Sequence, residues 1–270
     1  MNKLRKAVNT ILVFAVLVFI WWFNTYTLCV ETVEISDSRI KNKVTIVQIS
    51  DLHGYSFGND NSSLINKISA QNPDFIVATG DMFSNGSVEG RQVALALMTE
   101  LVDVAPVYYV NGEHDNLDDF DAELEEAGVN VLDYEQDVVT VGETKLHLYG
   151  INNVYYTDTF DLSNEFTLDE TAYNVLLAHI QNFEKFAAFG MDLSLCGDTH
   201  GGQVRLPFVG AVYMDDTWFP DRNGGYIKGL YELDGKKLFV SGGLGSNPIP
   251  VRFWNRPEIS VIKLVPQNNV

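Results

Sequence analysis

Cysteine is almost missing. Cys29 sits in an apolar run and Cys196 lies far along the chain, too few for a disulfide framework or a thiolate metal cage. Any metal here must therefore be held by oxygen and imidazole. Basic residues are also scarce, 18 Lys and Arg against 36 Asp and Glu for a formal charge of -18. A body that anionic repels nucleic-acid phosphates at long range, so DNA and RNA are excluded as partners. Repeats, low-complexity tracts and biased blocks are absent, and 46% hydrophobic with 20% charged residues excludes disorder, collagen and coiled coil.

One long hydrophobic run is present. Every residue from 11 to 23 is apolar, and the run continues in weaker form to Val30. Residues 7–30 thus suffice to cross about 30 Å of hydrocarbon as a helix. A cleaved signal peptide has a core of this size, but no small-x-small cleavage site follows, and the run exits through Trp21, Trp22, Tyr26 and Leu28. The reading is an uncleaved, single-pass anchor over residues 1–30. Lys3, Arg5 and Lys6 precede it while Glu31, Glu34 and Asp37 follow. The basic side stays in the cytoplasm, which places the remainder on the extracytoplasmic side of the cell membrane. Residues 31–43 read as a polar connector.

From residue 44 to 265 strand-like and helix-like stretches alternate as one domain. Strands are expected at 44–49, 75–79, 107–110, 138–141, 145–149, 174–178, 193–196 and 259–264, and helices at 62–72, 89–102 and 118–127. Asp234-Gly235 suits a type I′ hairpin turn between residues 226–233 and 237–241. Such mixed pairing predicts a mixed α/β (α+β) fold, two packed mixed sheets with outer helices.

Five of these strands run directly into carboxylate or imidazole: Asp51-Leu52-His53, Gly80-Asp81, Gly112-Glu113-His114-Asp115, His179, and Gly197-Asp198-Thr199-His200. Carboxyl ends of strands open into the ligand crevice of α/β proteins, so groups far apart in sequence converge there. Any one of them alone has an ordinary structural reading, Asp81 as a turn residue, His179 as a core histidine, Asp198 as a cap. Five together point to one metal site. Two divalent ions need a bridging carboxylate, for which Asp81 is the natural residue, and an open edge for water and substrate. His147, away from any strand end, reads as structural.

The order and spacing of these blocks resemble the calcineurin-like metallophosphoesterases, whose motifs run D-x-H, G-D, G-N-H-[DE], H and G-H-x-H. The likeness covers about residues 44–265. Gly197-Asp198-Thr199-His200-Gly201-Gly202-Gln203 and Arg256-Pro257-Glu258-Ile259 are similar to the G-H-T-H-G-G-Q and P-E-I segments of that family's membrane-associated branch. The resemblance implies the four-layer α/β/β/α metallophosphoesterase sandwich and a dinuclear centre. Asp51, His53, Asp81 and His200 would hold one metal, and Asp81, Glu113, His179 and Asp198 the other. His114 would donate a proton or hydrogen bond to the leaving oxygen, Asp115 would orient it, and a metal-bridged hydroxide would attack phosphorus.

Two positions depart from the pattern. Glu113 replaces the usual Asn and Asp198 the first His of the last block, which leaves the second metal set with three carboxylates and one imidazole. Oxygen donors favour Mn²⁺, Mg²⁺ or Ca²⁺ over Zn²⁺; Mn²⁺ is the expected metal, with Mg, Fe, Ca or Zn as the other candidates. The expected function is a membrane-anchored, metal-dependent phosphomonoester or phosphodiester hydrolase. The anchor keeps the site near the bilayer, so a lipid-linked ester is a natural substrate. Arg252, Arg256 and Asn247 are the candidate substrate contacts, and Trp218-Phe219 and Phe253-Trp254 candidate flanks of the crevice or interface. A catalytically silent metal-binding envelope sensor is the alternative, since both replacements fall in one metal set; extracellular nucleotide hydrolysis is a lesser one.

Overall fold

A computed structural model describes residues 2–267 apart from 116, 153–155, 158 and 215. The apolar run forms α1 (Asn2–Tyr26), 25 residues long, about 37 Å at 1.5 Å per residue. It is long and apolar enough to span a bilayer, and its span-length window is unburied by the rest of the chain.

Two residues later the chain enters β1 (Cys29–Asp37). The polar connector expected over residues 31–43 is thus largely a strand. β1 pairs in parallel with β16 (Glu258–Pro266) along its whole length. Glu31, Thr32 and Glu34 resemble a linker in sequence because they are solvent-exposed on an edge strand, while Ile35 and, beyond it, Ile40 are buried. Arg39 then bridges Asp37 and Asp192 at 2.9 and 2.8 Å, tying this edge to the opposite sheet.

The next elements follow the expected β-α-β rhythm: β2 (Val44–Ile49), α2 (Ser62–Ser69), β3 (Phe75–Thr79), α3 (Val88–Val102), β4 (Val107–Val110), α4 (Asp118–Glu126) and β5 (Asn130–Val131). Together with β1 and β16 these strands make a six-stranded sheet in the order β1-β16-β2-β3-β4-β5, parallel from β2 to β5. The second half supplies β6 (Glu135–Val141), β7 (Thr144–Gly150), β8 (Tyr173–Leu177), α5 (Phe183–Phe189) and β9 (Leu193–Cys196). Two short hairpins follow, β10 (Arg205–Leu206) with β11 (Gly210–Ala211), and β12 (Tyr213–Met214) with β13 (Thr217–Trp218). The chain then forms β14 (Gly229–Leu233) and β15 (Lys236–Val240). The second six-stranded sheet has the order β14-β15-β9-β8-β7-β6. Asp234 and Gly235 both take positive φ, 52° and 77°, as a type I′ turn between β14 and β15 requires.

The strands of the central layers are apolar on both faces because both faces are covered. Val47 and Ile49 of β2 face α2 and α3 through Leu64, Ile68 and Leu97, while Ile46 faces the other sheet through Leu195 and Phe239. Phe183 and Phe186 of α5 cover the outer face of the second sheet over Tyr149, Leu176 and Val240. The result is helix, sheet, sheet, helix. One buried polar residue crosses the middle: Gln48 donates to Thr79 Oγ1 and to the Cys196 carbonyl, both at 2.9 Å. It locks the ends of β2, β3 and β9 into register where the functional loops begin.

Candidate metal centre

The loops after β2, β3, β4, β8 and β9 meet at one edge of the two sheets. Asp51, His53, Asp81, Asp198 and His200 all adopt left-handed backbone, with φ between 48° and 73°, a conformation costing non-glycine residues on the order of 1–3 kcal/mol each. Close backbone approach makes the turns possible. A Cβ on Gly112 would strike the carboxylate and backbone N of Asp81, and one on Gly197 would strike Ser50 Oγ, so both turns use the room that glycine leaves.

Three sets of ligating atoms converge there: Asp51, His53 and His200; His53, Asp81 and His114; and Asp51, Asp81 and His179. The Nε2 atoms of His53 and His200 are 3.1 Å apart. Asp81 Oδ2 lies 3.6 Å from His53 Nε2 and 3.4 Å from His179 Nε2, between the two imidazole groups. Each ring is held from behind by Nδ1: His53 by Ser84 Oγ at 3.1 Å, His179 by the Thr79 carbonyl at 2.7 Å, and His200 by the Gly245 carbonyl at 3.4 Å. Such contacts set the tautomer that leaves Nε2 free to ligate. Asp51 Oδ2 and His179 Nε2 are buried without a hydrogen-bond partner, an arrangement costly for polar atoms unless a cation completes it.

The electrostatics agree. Burial pushes the Asp51 carboxyl up to about 7 despite the opposing pull of His179, and nearby Asp81 adds to the rise. Burial holds His53 down to about 4 and drives His200 well below the usual imidazole range, where Arg252 adds to the effect. His179 goes the other way. Burial opposes its charging, but Asp81 and Asp51 overcome that and raise it well above its ordinary value. Protein without metal therefore draws positive charge onto the place where the carboxylates converge. Two neutral imidazoles, His53 and His200, and a surplus of carboxylate that draws a proton onto His179 are a set that divalent cations fit, replacing that proton.

Glu113 and Asp198 stand farther out. Asp198 Oδ1 is 4.0 Å from His179 Nε2, and Glu113 Oε1 is 3.5 Å from His114 Nε2. Both side chains are about one-third exposed, and both line a cavity of about 960 Å³ whose inner end is formed by Asp81, His114 and His200. Asn247 reaches the same place, its Nδ2 3.2 Å from His114 Nε2.

Three expectations fail. Asp115 does not orient His114: its buried carboxylate accepts from the backbone N–H of Met82 at 2.6 Å and of Gly112 at 2.7 Å, pinning the Asp81 loop to the Gly112 loop. Arg252 is fully buried behind the glycine-rich loop, donating to the carbonyls of Gly242 and Gly245. Gly245 in turn donates to the Asp51 carbonyl and Leu244 to that of Ser50, so Arg252 braces the Asp51 loop and does not line the cavity. Arg256 lies at the end of α1, donating to the Thr27 and Leu28 carbonyls with its guanidinium 4.6 Å above the Phe23 ring. An arginine's sequence context does not reveal whether its donors face a carbonyl or solvent.

Sequence reading also missed two positioning groups, Ser84 behind His53 and Asn255, whose Nδ2 donates to the His200 carbonyl at 2.7 Å. No local motif marks either. His147, on β7, is apart from the centre and 3.5 Å from Asp169.

Comparison with known proteins bears directly on this geometry, since residues 44–208 match the family model of the calcineurin-like phosphoesterases. The chain belongs to that family. Among curated relatives, the metallophosphoesterase YkuE of Bacillus subtilis is 26% identical over 232 residues, 83% of this chain and 79% of its own. The phosphodiesterase YaeI of Escherichia coli is 26% identical over 202 residues, 72% of each chain. Among solved structures, a 5'-nucleotidase precursor from Thermus thermophilus superposes with a TM-score of 0.49 at 15% identity, over 74% of this chain and 48% of that one. The matched span carries strands of both sheets, and the candidate metal-binding residues within it lie at the strand ends.

Proposed function

We propose that this phosphoesterase is a membrane-anchored dinuclear hydrolase, held by α1 with its catalytic domain on the extracytoplasmic side. The observation that supports it best is the pair of buried, unpartnered ligating atoms, Asp51 Oδ2 and His179 Nε2, beside an imidazole that faces an open cavity. Asp51, His53, Asp81 and His200 would hold one ion, and Asp81, Glu113, His179 and Asp198 the other. Bound there, two divalent cations would activate water and neutralise the charge that develops on the phosphoryl oxygens.

The chain's own groups supply the rest. His114 is tied to the centre through its backbone N–H, which donates to Asp81 Oδ1 at 2.9 Å. Its ring stands on the cavity side, steadied by Asn247 and Glu113, and hands a proton or hydrogen bond to the departing ester oxygen. Asp115 keeps the Asp81 and Gly112 loops at fixed separation, so acid and ligands stay in register. Glu113 and Asp198 make the outer set rich in oxygen, which suits Mn²⁺. The relative named a phosphodiesterase supports diester as well as monoester chemistry for this chain.

The test uses the full chain in detergent with Mn²⁺, assayed on p-nitrophenyl phosphate and bis(p-nitrophenyl) phosphate. A metal-dependent rate that disappears in His114→Ala is the expected result. Two bound ions without turnover on either ester would leave the metal-binding sensor as the function.

A further inference from the structure

The catalytic cavity has two unlike ends. Opposite the carboxylates and imidazoles its wall is Val204, Val212, Met214, Trp218, Ile249 and Val251. Trp218 and Ile249 remain 63% and 62% exposed. Phosphate needs none of this surface.

The position of that wall relative to α1 follows from direct contacts. Trp21 Nε1 donates to the Pro250 carbonyl at 2.9 Å, the Trp254 N–H to Asn24 Oδ1 at 2.9 Å, and the Arg252 N–H to Thr25 Oγ1 at 3.1 Å. Residues 250–256 are therefore clamped along the last turns of the helix. Trp21 lies five residues before the helix end at Tyr26, about 7.5 Å along its axis. In a spanning α1, whose interfacial aromatics are Trp21, Trp22 and Tyr26, Ile249 and Val251 lie at the level where headgroups meet acyl chains. The stretch 243–251 carries no charged side chain, and Trp254, against the end of α1, is 64% exposed.

Resting on the proposed anchored phosphoesterase, we infer that the cavity opens toward the bilayer and takes a membrane lipid bearing a phosphoester. The phosphorus sits among the metal-binding loops, and the tail lies along Trp218, Ile249 and Val251. The anchor thereby sets the entry path: a lipid slides laterally into the apolar end without leaving the membrane. A water-soluble phosphoester would find only the inner end useful.

The test is inhibition of p-nitrophenyl phosphate hydrolysis by n-alkyl phosphates from ethyl to octyl, each below its micellar concentration, with the detergent-solubilised full chain. Tail burial in this wall makes inhibition tighten by about fourfold per added methylene. In Ile249→Asp/Val251→Asp that gradient flattens relative to inhibition by inorganic phosphate on the same variant. A flat series in the wild-type chain, or an unchanged gradient in the variant, overturns the inference while leaving the phosphoesterase intact. Absence of p-nitrophenyl phosphate turnover overturns the catalytic proposal instead; binding of the alkyl series, followed by tryptophan fluorescence, then still decides whether the wall holds a tail.

Discussion

The inner and outer halves of the metal centre obey different physics. Asp51, His53, Asp81, His179 and His200 are all buried, three imidazoles are fixed from behind, and left-handed backbone aims several of them. Glu113 and Asp198 are partly solvated at the cavity mouth. Both departures from the family pattern fall in the outer half. A carboxylate is tolerated there because water screens it, whereas a further carboxylate beside Asp51 and Asp81 would add a buried like charge. The inner half is thus constrained by desolvation, whereas the outer half, under the proposed assignment, would be free to tune metal preference.

Substitutions can break that contrast. The largest effect is expected for Asp81→Ala, which removes the carboxylate common to two of the three clusters and proposed to hold both ions. Both ions should be lost by elemental analysis and turnover should fall to background. His114→Ala should keep both ions yet lower turnover by about 10²–10⁴-fold; loss of metal as well would make His114 a ligand. Asp198→Ala should weaken one ion selectively, so that titration with Mn²⁺ becomes biphasic. Equal loss of both ions, or of neither, would contradict the division into halves. Ser84→Ala frees the far side of His53 and should weaken metal binding by about tenfold, with little change in the metal-free protein's melting temperature.

Stability offers a milder probe of the same difference. The buried carboxylates and unpartnered atoms of the inner half penalise the metal-free fold, so Mn²⁺ at a hundred times its Kd should stabilise the protein by about 2.7 kcal/mol. The gain should be seen as a higher melting temperature that a chelator reverses. Asp198→Ala should lose only part of it; full loss would mean that the outer carboxylate, not the inner set, governs stability.

Legibility in the sequence followed local patterning. Central strands such as 44–49 and 75–79 are apolar on both faces and end at Asp51 and Asp81, so both the layers and their chemical termini could be read from the chain. β1 could not, because an edge strand with Glu31, Thr32 and Glu34 exposed has the composition of a linker until β16 arrives beside it. Asp115, Arg252 and Arg256 were expected to serve the site directly, but each makes backbone hydrogen bonds elsewhere. Every residue carries such backbone groups and no sequence pattern distinguishes them.

The chain's own order of residues determined the apolar helix, the sandwich class and which carboxylates and imidazoles stand at the strand ends, since periodicity and strand-end chemistry are local properties. Tertiary structure alone decided which of those groups are buried without partners, how α1 is clamped to residues 250–256, and that the cavity's far wall is apolar. Those outcomes depend on distances between segments separated by up to more than two hundred residues, and such distances are set by how the sheets pack and not by any stretch of sequence.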